Sequence, residues 1–469
     1  MASPDGPLLE VPEIAVELGE RFRAAGHELA LVGGVVRDLL LGRVRADAEL
    51  DLATSAPPMQ TTRILRGWAD RIYLVGVRFG TVGARKGDAR FEVTTYREEV
   101  YRPEDRKPIV TFAKDLETDL SRRDFTINAM AVRLPDRVFV DPFGGVRDLA
   151  ARRLDTPLDP EVAFSDDPLR MLRAARFAAQ LDVDPTPRVL AAIREMHARL
   201  RIVSAERIAD ELAKLLVAPR PAKGLRIVVE TGLAEEFLPE LPALALEQDP
   251  VHRHKDVLKH TLAVVERCEP DLVLRLAALL HDIGKPATRE ITPEGVQFHH
   301  HEVVGARMAR ERLRALRYPN EIVEDVTKLV EMHLRFHGYS AWSDSAVRRY
   351  VRDAGHLLDR LNQLTRADCT TQNPRKAREL AALQDDLEER IARLAEEENL
   401  RSMRPPLDGK QVMEHLGIPP GPDVGRALEY LMQVRLDRGP VAQEEAYRLL
   451  DAWAAEQGIG RAASRRAGS

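Results

Sequence analysis

Short runs of apolar residues typical of strands occur only within roughly the first 150 residues of this chain. Runs such as ELALV, FEVTTY and RVFVDPF are rich in β-branched and aromatic residues, which favour strands. Beyond them nearly every segment has apolar residues three or four positions apart, as on one face of a helix. This pattern predicts an α+β fold in which a small mixed sheet with helices precedes a helical body.

Three later features refine that outline. The polar segment 98–110 contains two prolines, which predicts a mobile loop. Apolar residues recur every three or four positions over 380–394, as in a helical hairpin, a short coiled coil or a helix laid on the body. We favour the last, because coiled coils normally need three or more heptads. Pro405 and Pro406 predict a boundary before a last helical module, whose basic end 461–469 is expected to be frayed.

Composition narrows the class of protein. A chain of 469 residues is long enough for about two to four domains with separate cores. The formal net charge is −5, so any RNA-binding surface must be a local basic stripe. The only cysteines are Cys268 and Cys369, and no apolar N-terminal stretch suggests a signal peptide or membrane span. We therefore expect a soluble cytoplasmic protein.

A Gly-Gly turn is the first candidate for phosphate binding. Gly33 and Gly34 follow the apolar run ELALV, and a helix is predicted to begin near Val35. Glycine lets the backbone approach a phosphate closely, and a helix N-terminus attracts anions. An ordinary turn before a solvated strand is the alternative for this motif alone, since short glycine motifs often match by chance.

The strand after this turn carries closely spaced acids. Asp47, Glu49 and Asp51 are two positions apart, so a strand would place all three side chains on one face. Carboxylates so close repel one another unless a cation lies between them. Their hard oxygen ligands predict Mg²⁺, which suits nucleotidyl transfer.

Two further segments extend the candidate site. The first, RRDFTINAMA, spans 122–131. The second, DDPLRMLRAARF, spans 166–177 and predicts a helix with Pro168 in its first turn. Asp167 and Arg170 would share one face of it, and there they could pair with each other or read a nucleotide base edge. The same stripe continues through Arg173 and Arg176, and the packing residues would be Met171, Leu172, Ala175 and Phe177.

Taken in order, these motifs and the VDPFGG segment resemble the bacterial tRNA nucleotidyltransferases that build the 3′-terminal CCA and are related to poly(A) polymerases. The resemblance implies a polymerase β-like nucleotidyltransferase head, and in this family a loop like 98–110 takes part in the switch from C to A addition. It implies that Asp167 and Arg170 pair with incoming CTP or ATP in place of a nucleic-acid template, and that 141–145 is a hinge between head and neck. The nucleotide-binding residues it implies are Gly33, Gly34, Arg37, Asp38, Arg122, Arg123, Asp124, Asn128, Asp167, Arg170, Arg173 and Arg176.

The acidic strand departs from the family pattern, which normally reads Asp-x-Asp. Counting back from 52–54 selects Glu49 and Asp51 as catalytic metal ligands, whereas counting forward from Gly34 selects Asp47 and Glu49. We favour Glu49 and Asp51, with Asp47 as a rival first ligand. Glu92 is a possible third acid, and its alternative is an ordinary surface glutamate of a strand.

A second group of metal-ligand residues lies between positions 250 and 370. Imidazoles and carboxylates on facing helices can bind one or two transition-metal ions. The pattern resembles the HD superfamily of metal-dependent phosphohydrolases, and we predict Ni²⁺, Mn²⁺, Fe²⁺, Zn²⁺ or Mg²⁺ there. Its predicted ligands are His260, His281, Asp282, His301, His333 and Asp368, and the histidines interpreted as surface or second-shell are His252, His254, His299, His300 and His337.

The sequence thus predicts a tRNA nucleotidyltransferase that adds C, C and A from CTP and ATP, with Mg²⁺ at the head and tRNA as partner. The expected domains are a head over 1–150, an RNA-binding neck over 151–248, an HD domain over 249–400 and a tail over 401–469. The HD domain would hydrolyse phosphate or 2′,3′-cyclic phosphate at RNA ends. The alternatives are an enzyme that adds only A, a poly(A) polymerase, or a phosphohydrolase with an inactive head.

Overall fold

The computed structural model describes residues 9–43, 49–74, 76–100, 109–113, 115–246, 256–293, 295–370, 373–398 and 404–459. The chain forms two compact units. Unit 1 comprises 1–243 with 315–318, and unit 2 comprises 244–314 with 319–469. Across the described ranges, no helix is both long enough and apolar enough to cross a membrane. The four-part division expected from the sequence stays a prediction.

A mixed sheet organises the N-terminal part of unit 1. Its strand order is β3-β4-β5-β2-β1-β8-β9, and β6 pairs with β7 in a separate hairpin. Strands β2 and β5 are parallel, and the other pairs are antiparallel. The strands are β1 (Leu29–Val32), β2 (Glu49–Thr54), β3 (Arg71–Tyr73), β4 (Thr81–Lys86), β5 (Ala89–Thr95), β6 (Arg97–Val100), β7 (Ile109–Phe112), β8 (Ala131–Leu134) and β9 (Val138–Val140).

The alternation along β2 explains where the site can form. Leu50 and Leu52 are buried in the core on one face of the sheet. On the other face Ala53 is buried in a smaller cluster, whereas Glu49 and Asp51 are exposed. Successive side chains of a strand leave on opposite faces. The acids therefore continue the face that carries Ala53, beyond the point where apolar residues cover it.

Helices make up most of the rest of unit 1. Helices α6 to α11 lie in the predicted neck, together with two very short strands, β10 (Arg153–Leu154) and β11 (Asp184–Pro185), which pair in parallel. The helices of unit 1 are α1 (Glu13–Ala24), α2 (Gly34–Leu40), α3 (Pro58–Leu65), α4 (Leu116–Ser121), α5 (Gly145–Ala150), α6 (Pro160–Asp166), α7 (Leu169–Leu181), α8 (Pro187–Met196), α9 (Ala205–Leu216), α10 (Pro221–Glu230) and α11 (Leu233–Phe237).

Unit 2 is mostly helical. The hairpin β12 (Arg289–Thr292) and β13 (Gly295–Phe298) interrupts the all-helical pattern expected there, because β-branched residues flank a turn that ends in a glycine at φ 134°. The helices are α12 (Val257–Arg267), α13 (Leu272–Leu280), α14 (His301–Ala315), α15 (Asn320–Met332), α16 (Asp344–Ala354), α17 (Leu358–Asp368), α18 (Pro374–Glu398), α19 (Gly409–Leu416), α20 (Pro422–Arg438) and α21 (Gln443–Gln457).

The apolar stripe over 380–394 belongs to one continuous helix, α18. Leu387 and Leu394 are buried, and α18 packs on α16 and α17, so the helix is laid on the body as favoured from the sequence. Helices α19 to α21 share a separate apolar core, as expected for a last module. The predicted frayed end 461–469 and the tip of the predicted loop, 101–108, lie outside the described residues.

Candidate functional sites in the head and the HD domain

The Gly-Gly turn lies directly beside the acidic strand. Gly33 has φ 77°, a conformation that favours glycine, and precedes α2, which begins at Gly34. A Cβ on Gly33 would lie 2.8 Å from Nη1 of Arg123 and 3.8 Å from Oδ2 of Asp51. The positive φ thus favours glycine here, whereas the guanidinium of Arg123 is the movable end of a long side chain. The arrangement leaves the turn open toward the Asp51 carboxylate.

Three carboxylates lie on neighbouring positions of one face of the sheet here. Glu49 and Asp51 lie on one face of β2, and Asp51 is in register with Glu92 on the parallel neighbour β5. Loss of hydration raises the pKa of Asp51; Arg123 opposes this shift, and the charge of Glu49 adds to it. Loss of hydration, with Glu49 and Asp51, also raises the pKa of Glu92. The rival ligand Asp47 lies outside the described residues.

This carboxylate group fits a hard divalent cation. Asp51 is accessible to solvent, although neighbouring protein atoms remove enough hydration to raise the pKa of its carboxyl group. Like charges this close favour proton uptake unless a cation compensates them. Oxygen ligands from carboxylates suit Mg²⁺. The weak indication for Glu92 in the sequence thus gains a geometric basis, because its strand neighbour is Asp51.

The motif RRDFTINAMA connects the turn to helix α7. Nη1 of Arg37 donates to Oδ1 of Asn128 at 2.7 Å, and Nδ2 of Asn128 donates to Oδ1 of Asp124 at 3.0 Å. Arg173 donates to Oδ2 of Asp124 through Nε at 2.9 Å and Nη2 at 2.5 Å. Burial would raise the pKa of Asp124, but Arg173 and Asn128 outweigh it and lower the pKa to about 2. These residues therefore hold three motifs together.

Asp167 and Arg170 are arranged differently from the sequence interpretation. Helix α7 begins at Leu169, so Arg170 lies in its first turn. Asp167 has an extended backbone and Pro168 directly precedes the helix, so both of these residues lie outside the first turn. The preference of a residue before proline for extended backbone explains this start. Oδ2 of Asp167 accepts from Nη2 of Arg207 at 2.8 Å. Arg170 donates to two backbone oxygens, of Ala163 at 3.3 Å and Arg122 at 2.5 Å. Asp167 and Arg170 are therefore held by different partners and do not pair with each other.

The sequence interpretation missed two charged residues of α9. Glu211 is buried and lies 3.0 Å from Nε of Arg176 and 3.7 Å from Nη1 of Arg173. Arg207 is the partner of Asp167. Glu211 lies three residues after buried Ile208 and one before buried Leu212. An acid at such a position on the apolar face of a helix can be recognised in the sequence, and it indicates a buried ion pair. The expected packing residues, Met171, Leu172, Ala175 and Phe177, are all buried.

Three other residues of the implied head site take part in ion pairs or caps. Nη2 of Arg37 lies 2.8 Å from Oδ1 of Asp38, and Nη2 of Arg123 lies 3.3 Å from Oδ2 of Asp119. Asp141 accepts from the N–H groups of Gly145 at 2.6 Å and of the next residue at 3.0 Å, which caps α5. A Cβ on Gly145 would lie 2.3 Å from the backbone oxygen of Thr126. The segment 141–145 thus packs closely against the RRDFTINAMA motif, and its role as a hinge stays a prediction.

All six predicted HD ligands meet in unit 2. Oδ1 of Asp368 lies 2.8 Å from Nε2 of His260 and 3.7 Å from Nε2 of His281. Asp282 lies 3.2 Å from His281 through Oδ2 and 3.5 Å from His301 through Oδ1, measured to each Nε2. The ring of His333 lies 5.3 Å from the rings of both His281 and His301, centroid to centroid. Asp282 belongs to two ligand groups, one with His260 and His281 and one with His301 and His333.

The backbone aims three of these histidines inward. Nδ1 of His281, His301 and His333 each donates to the carbonyl three residues earlier, at 2.8, 2.8 and 2.7 Å. This bond leaves Nε2 as the free acceptor of the neutral ring, the form that binds metal. The Nε2 atoms of His301 and His333 are buried and have no hydrogen-bond partner. Burial lowers the pKa of His333 to about 3, so it is neutral at pH 7.

The donor set fits one or two divalent cations. Burial opposes ionisation of Asp282 and Asp368, but neighbouring histidines outweigh it and hold both carboxyl pKa values below their ordinary range. Burial alone would lower the pKa of His281, but Asp282 outweighs it and raises that pKa. Metal binding needs deprotonated carboxylates and neutral imidazoles, so a bound cation would take the place of the proton on His281. Nζ of Lys285, the last residue of HDIGK, lies 2.7 Å from Oδ2 of Asp282.

The five histidines that were interpreted from the sequence as surface or second-shell fall into three groups. His299 and His300 are exposed, as expected. His337 is also exposed, yet it lines a cavity of about 410 Å³ together with several predicted ligands. His252 and His254 lie outside the described residues.

Three family models match the chain. A poly A polymerase head domain matches residues 29–155. A probable RNA and SrmB-binding site of polymerase A matches residues 182–244. An HD domain matches residues 257–398.

Relatives with known names match nearly the whole chain. An A-adding tRNA nucleotidyltransferase of Deinococcus radiodurans is 34% identical over 91% of this chain and 96% of its own length. A CC-adding tRNA nucleotidyltransferase of Thermus thermophilus is 35% identical over 90% and 93%. The crystal structure of the Bacillus stearothermophilus CCA-adding enzyme in complex with CTP is similar with a TM-score of 0.71, 26% identity and coverage of 95% and 98%.

Proposed function

Because this chain belongs to the family of tRNA nucleotidyltransferases that includes A-adding, CC-adding and CCA-adding enzymes, we propose that it adds C, C and A to tRNA 3′ ends. It would take the nucleotides from CTP and ATP and release pyrophosphate. No nucleic-acid template would be needed. The observation that carries this proposal is the group of three carboxylates beside a glycine turn with φ 77°. The activity also implies a cytoplasmic location.

Each part of the head contributes a separate task to this reaction. Glu49 and Asp51 would hold Mg²⁺, with Glu92 as the neighbouring third acid. Mg²⁺ bound there would stabilise negative charge on the entering and leaving oxygens. Arg123, beside Gly33, would donate to the triphosphate. Asp167 and Arg170 are paired with Arg207 and with two backbone oxygens, and they would exchange these partners for the base edge, which is a basis for choosing C and A.

Nucleotide addition should depend on Asp51. Asp51→Asn removes one charge from the carboxylate group and should lower addition to tRNA at least 100-fold. The measurement is extension of tRNA lacking CCA and of tRNA ending in CC, with CTP, ATP or both, and sequencing of the 3′ ends. Asp88→Asn is the matched control, because Asp88 is fully exposed in unit 1. Normal extension by Asp51→Asn would contradict the site assignment.

The same experiment distinguishes the alternatives within this chemistry. The 34% identical relative is A-adding, which makes A addition alone the second candidate for the head. An A-adding enzyme extends only tRNA ending in CC, and a poly(A) polymerase adds more than one A. A CCA-adding enzyme extends both tRNAs to the same end.

For unit 2 we propose a metal-dependent phosphohydrolase acting on a phosphate or 2′,3′-cyclic phosphate at an RNA 3′ end. The buried, unpartnered Nε2 atoms of His301 and His333 favour this second activity. The ions would be bound in two groups that share Asp282. Water would attack the phosphorus, the bond to a ribose oxygen would break, and that oxygen would take up a proton. His281→Ala should abolish both release of a terminal phosphate and opening of a 2′,3′-cyclic phosphate, and it should leave tRNA extension unchanged.

A further inference from the structure

The HD ligands line only one part of their cavity. His260, Asp282, His333 and Asp368 line that part of the volume of about 410 Å³. Helix α18 lines another part through Lys376, Leu380 and Leu383. The volume is within the range of small-molecule sites. A cavity of this size and mixed lining has more surface than a lone phosphate group would contact.

Lys376 is the distinctive charge of this second part. In the regions that the structure describes, no carboxylate pairs with it, and its side chain is exposed. Oδ1 of Asn373 accepts from the backbone N–H groups of Arg375 at 3.0 Å and Lys376 at 3.3 Å, which fixes the first turn of α18. The other lysine of the cavity, Lys285, is paired with Asp282. Lys376 is therefore available for an anionic ligand.

We propose that this cavity binds the 3′-terminal nucleotide of an RNA strand through two phosphates. The terminal phosphate would lie at the six HD ligands, and the phosphodiester on the 5′ side of the same nucleotide would contact Lys376. The sugar and base would lie against Leu380 and Leu383, whose apolar side chains line the same region. The inference rests on the phosphohydrolase proposed for unit 2, and it names the 5′ phosphodiester as the group that distinguishes an RNA end from a free nucleoside monophosphate.

Two small probes isolate the second phosphate. Adenosine 3′,5′-bisphosphate carries it, and adenosine 3′-monophosphate lacks it. With the full-length protein and Ni²⁺, we expect the bisphosphate to bind about tenfold more tightly, because one charge-assisted contact is added. Lys376→Ala should remove this advantage and leave binding of the monophosphate unchanged. Lys376→Arg should retain most of it.

The matched control is Arg375→Ala. Arg375 precedes Lys376 in the same helical turn, but it pairs with Glu379 at 3.0 Å and does not line the cavity. Arg375→Ala removes one positive charge from α18, as Lys376→Ala does, but it should leave the affinity for both probes unchanged. Binding that persists in His281→Ala is assigned to the head and subtracted.

Binding and phosphate release test separate claims. If the bisphosphate binds more tightly through Lys376 but neither a terminal phosphate nor a 2′,3′-cyclic phosphate is hydrolysed, the subsite is supported and the hydrolase proposal fails. If phosphate is released but both probes bind equally and Lys376→Ala changes neither, the subsite is wrong and the hydrolase stands. If neither probe shows binding that depends on His281, the subsite is also wrong.

Discussion

At the residue scale, the two candidate sites differ in which polar atoms are satisfied. In the head, Asp124, Asn128 and Arg37 use their polar atoms on one another, while Glu49 and Asp51 face solvent. In the HD domain, the buried Nε2 atoms of His301 and His333 make no hydrogen bond. An unpaired buried polar atom costs free energy, and a cation bound by these two imidazoles would remove that cost. The HD ligands therefore form a buried donor set suited to a cation, whereas the head combines open carboxylates with a preformed scaffold.

Nucleotide choice should depend on Asp167. Asp167→Asn exchanges an acceptor for a group that can also donate, so it should lower discrimination between CTP or ATP and UTP or GTP. One base-edge contact is worth about 1–3 kcal/mol, which predicts a loss of about 5- to 150-fold. The measurement is kcat/KM for each nucleotide. Asp210→Asn is the control, since Asp210 is an exposed neck residue that pairs with Lys214. An unchanged preference would exclude direct reading by Asp167.

Asp124 should contribute to stability in a way that depends on pH. A pKa lowered to about 2 corresponds to about 2.5 kcal/mol of stability at neutral pH. Because the pKa of the folded state lies below that of the unfolded state, this contribution is complete above about pH 4 and is lost as pH falls toward 2. Urea unfolding should show Asp124→Asn destabilised at pH 7, with a smaller difference at pH 3. A difference that stays constant between these pH values would mean that Asp124 is not held ionised by Arg173.

At the scale of elements, close contacts between backbones set the HD ligands in place. Gly284 follows α13 within the HDIGK motif, and a Cβ there would lie 2.2 Å from the backbone oxygen of His301 and 2.8 Å from the N atom of Gly305. Both atoms belong to α14, whose first residue is His301. The glycine is therefore needed because the first turn of α14 lies against it. Its motif position is visible in the sequence, but its partner is not.

Gly284→Ala should weaken metal binding without removing a ligand. The added methyl group would push α14 away, and His301 would move with it. We expect the affinity for Ni²⁺ to fall at least tenfold while tRNA extension remains normal. Gly425→Ala is the control, because its Cβ in α20 would meet no atom within 4 Å. Unchanged affinity would show that α14 can shift without disturbing the ligands.

At the scale of the whole molecule, the sequence predicted the chemistry better than the supports around it. The six predicted HD ligands followed from the resemblance to the HD superfamily, and the fold brings all six side chains together, although their role as ligands stays a prediction. The partner of Asp167 could not be predicted, because Arg207 lies 40 residues away in the sequence and exposed arginines are common. Likewise, only the parallel pairing of β2 with β5 places Glu92 beside Asp51. Local pattern identifies ligands, whereas long-range pairing determines what holds them.

The two units should respond separately to their own ligands on heating. Each unit is compact and buries apolar side chains of its own, so calorimetry of the whole chain should resolve at least two transitions. Imidazole-rich sites prefer Ni²⁺ more than carboxylate sites do, so Ni²⁺ should raise only the transition of unit 2. At about 100 times Kd the gain is about 2.7 kcal/mol, or roughly 5–10 °C for a unit of this size. CTP with Mg²⁺ should raise only the other transition. His333→Ala should lose the response to Ni²⁺ and keep the response to CTP. If Ni²⁺ raised both transitions equally in this variant, its binding would lie outside the HD ligands.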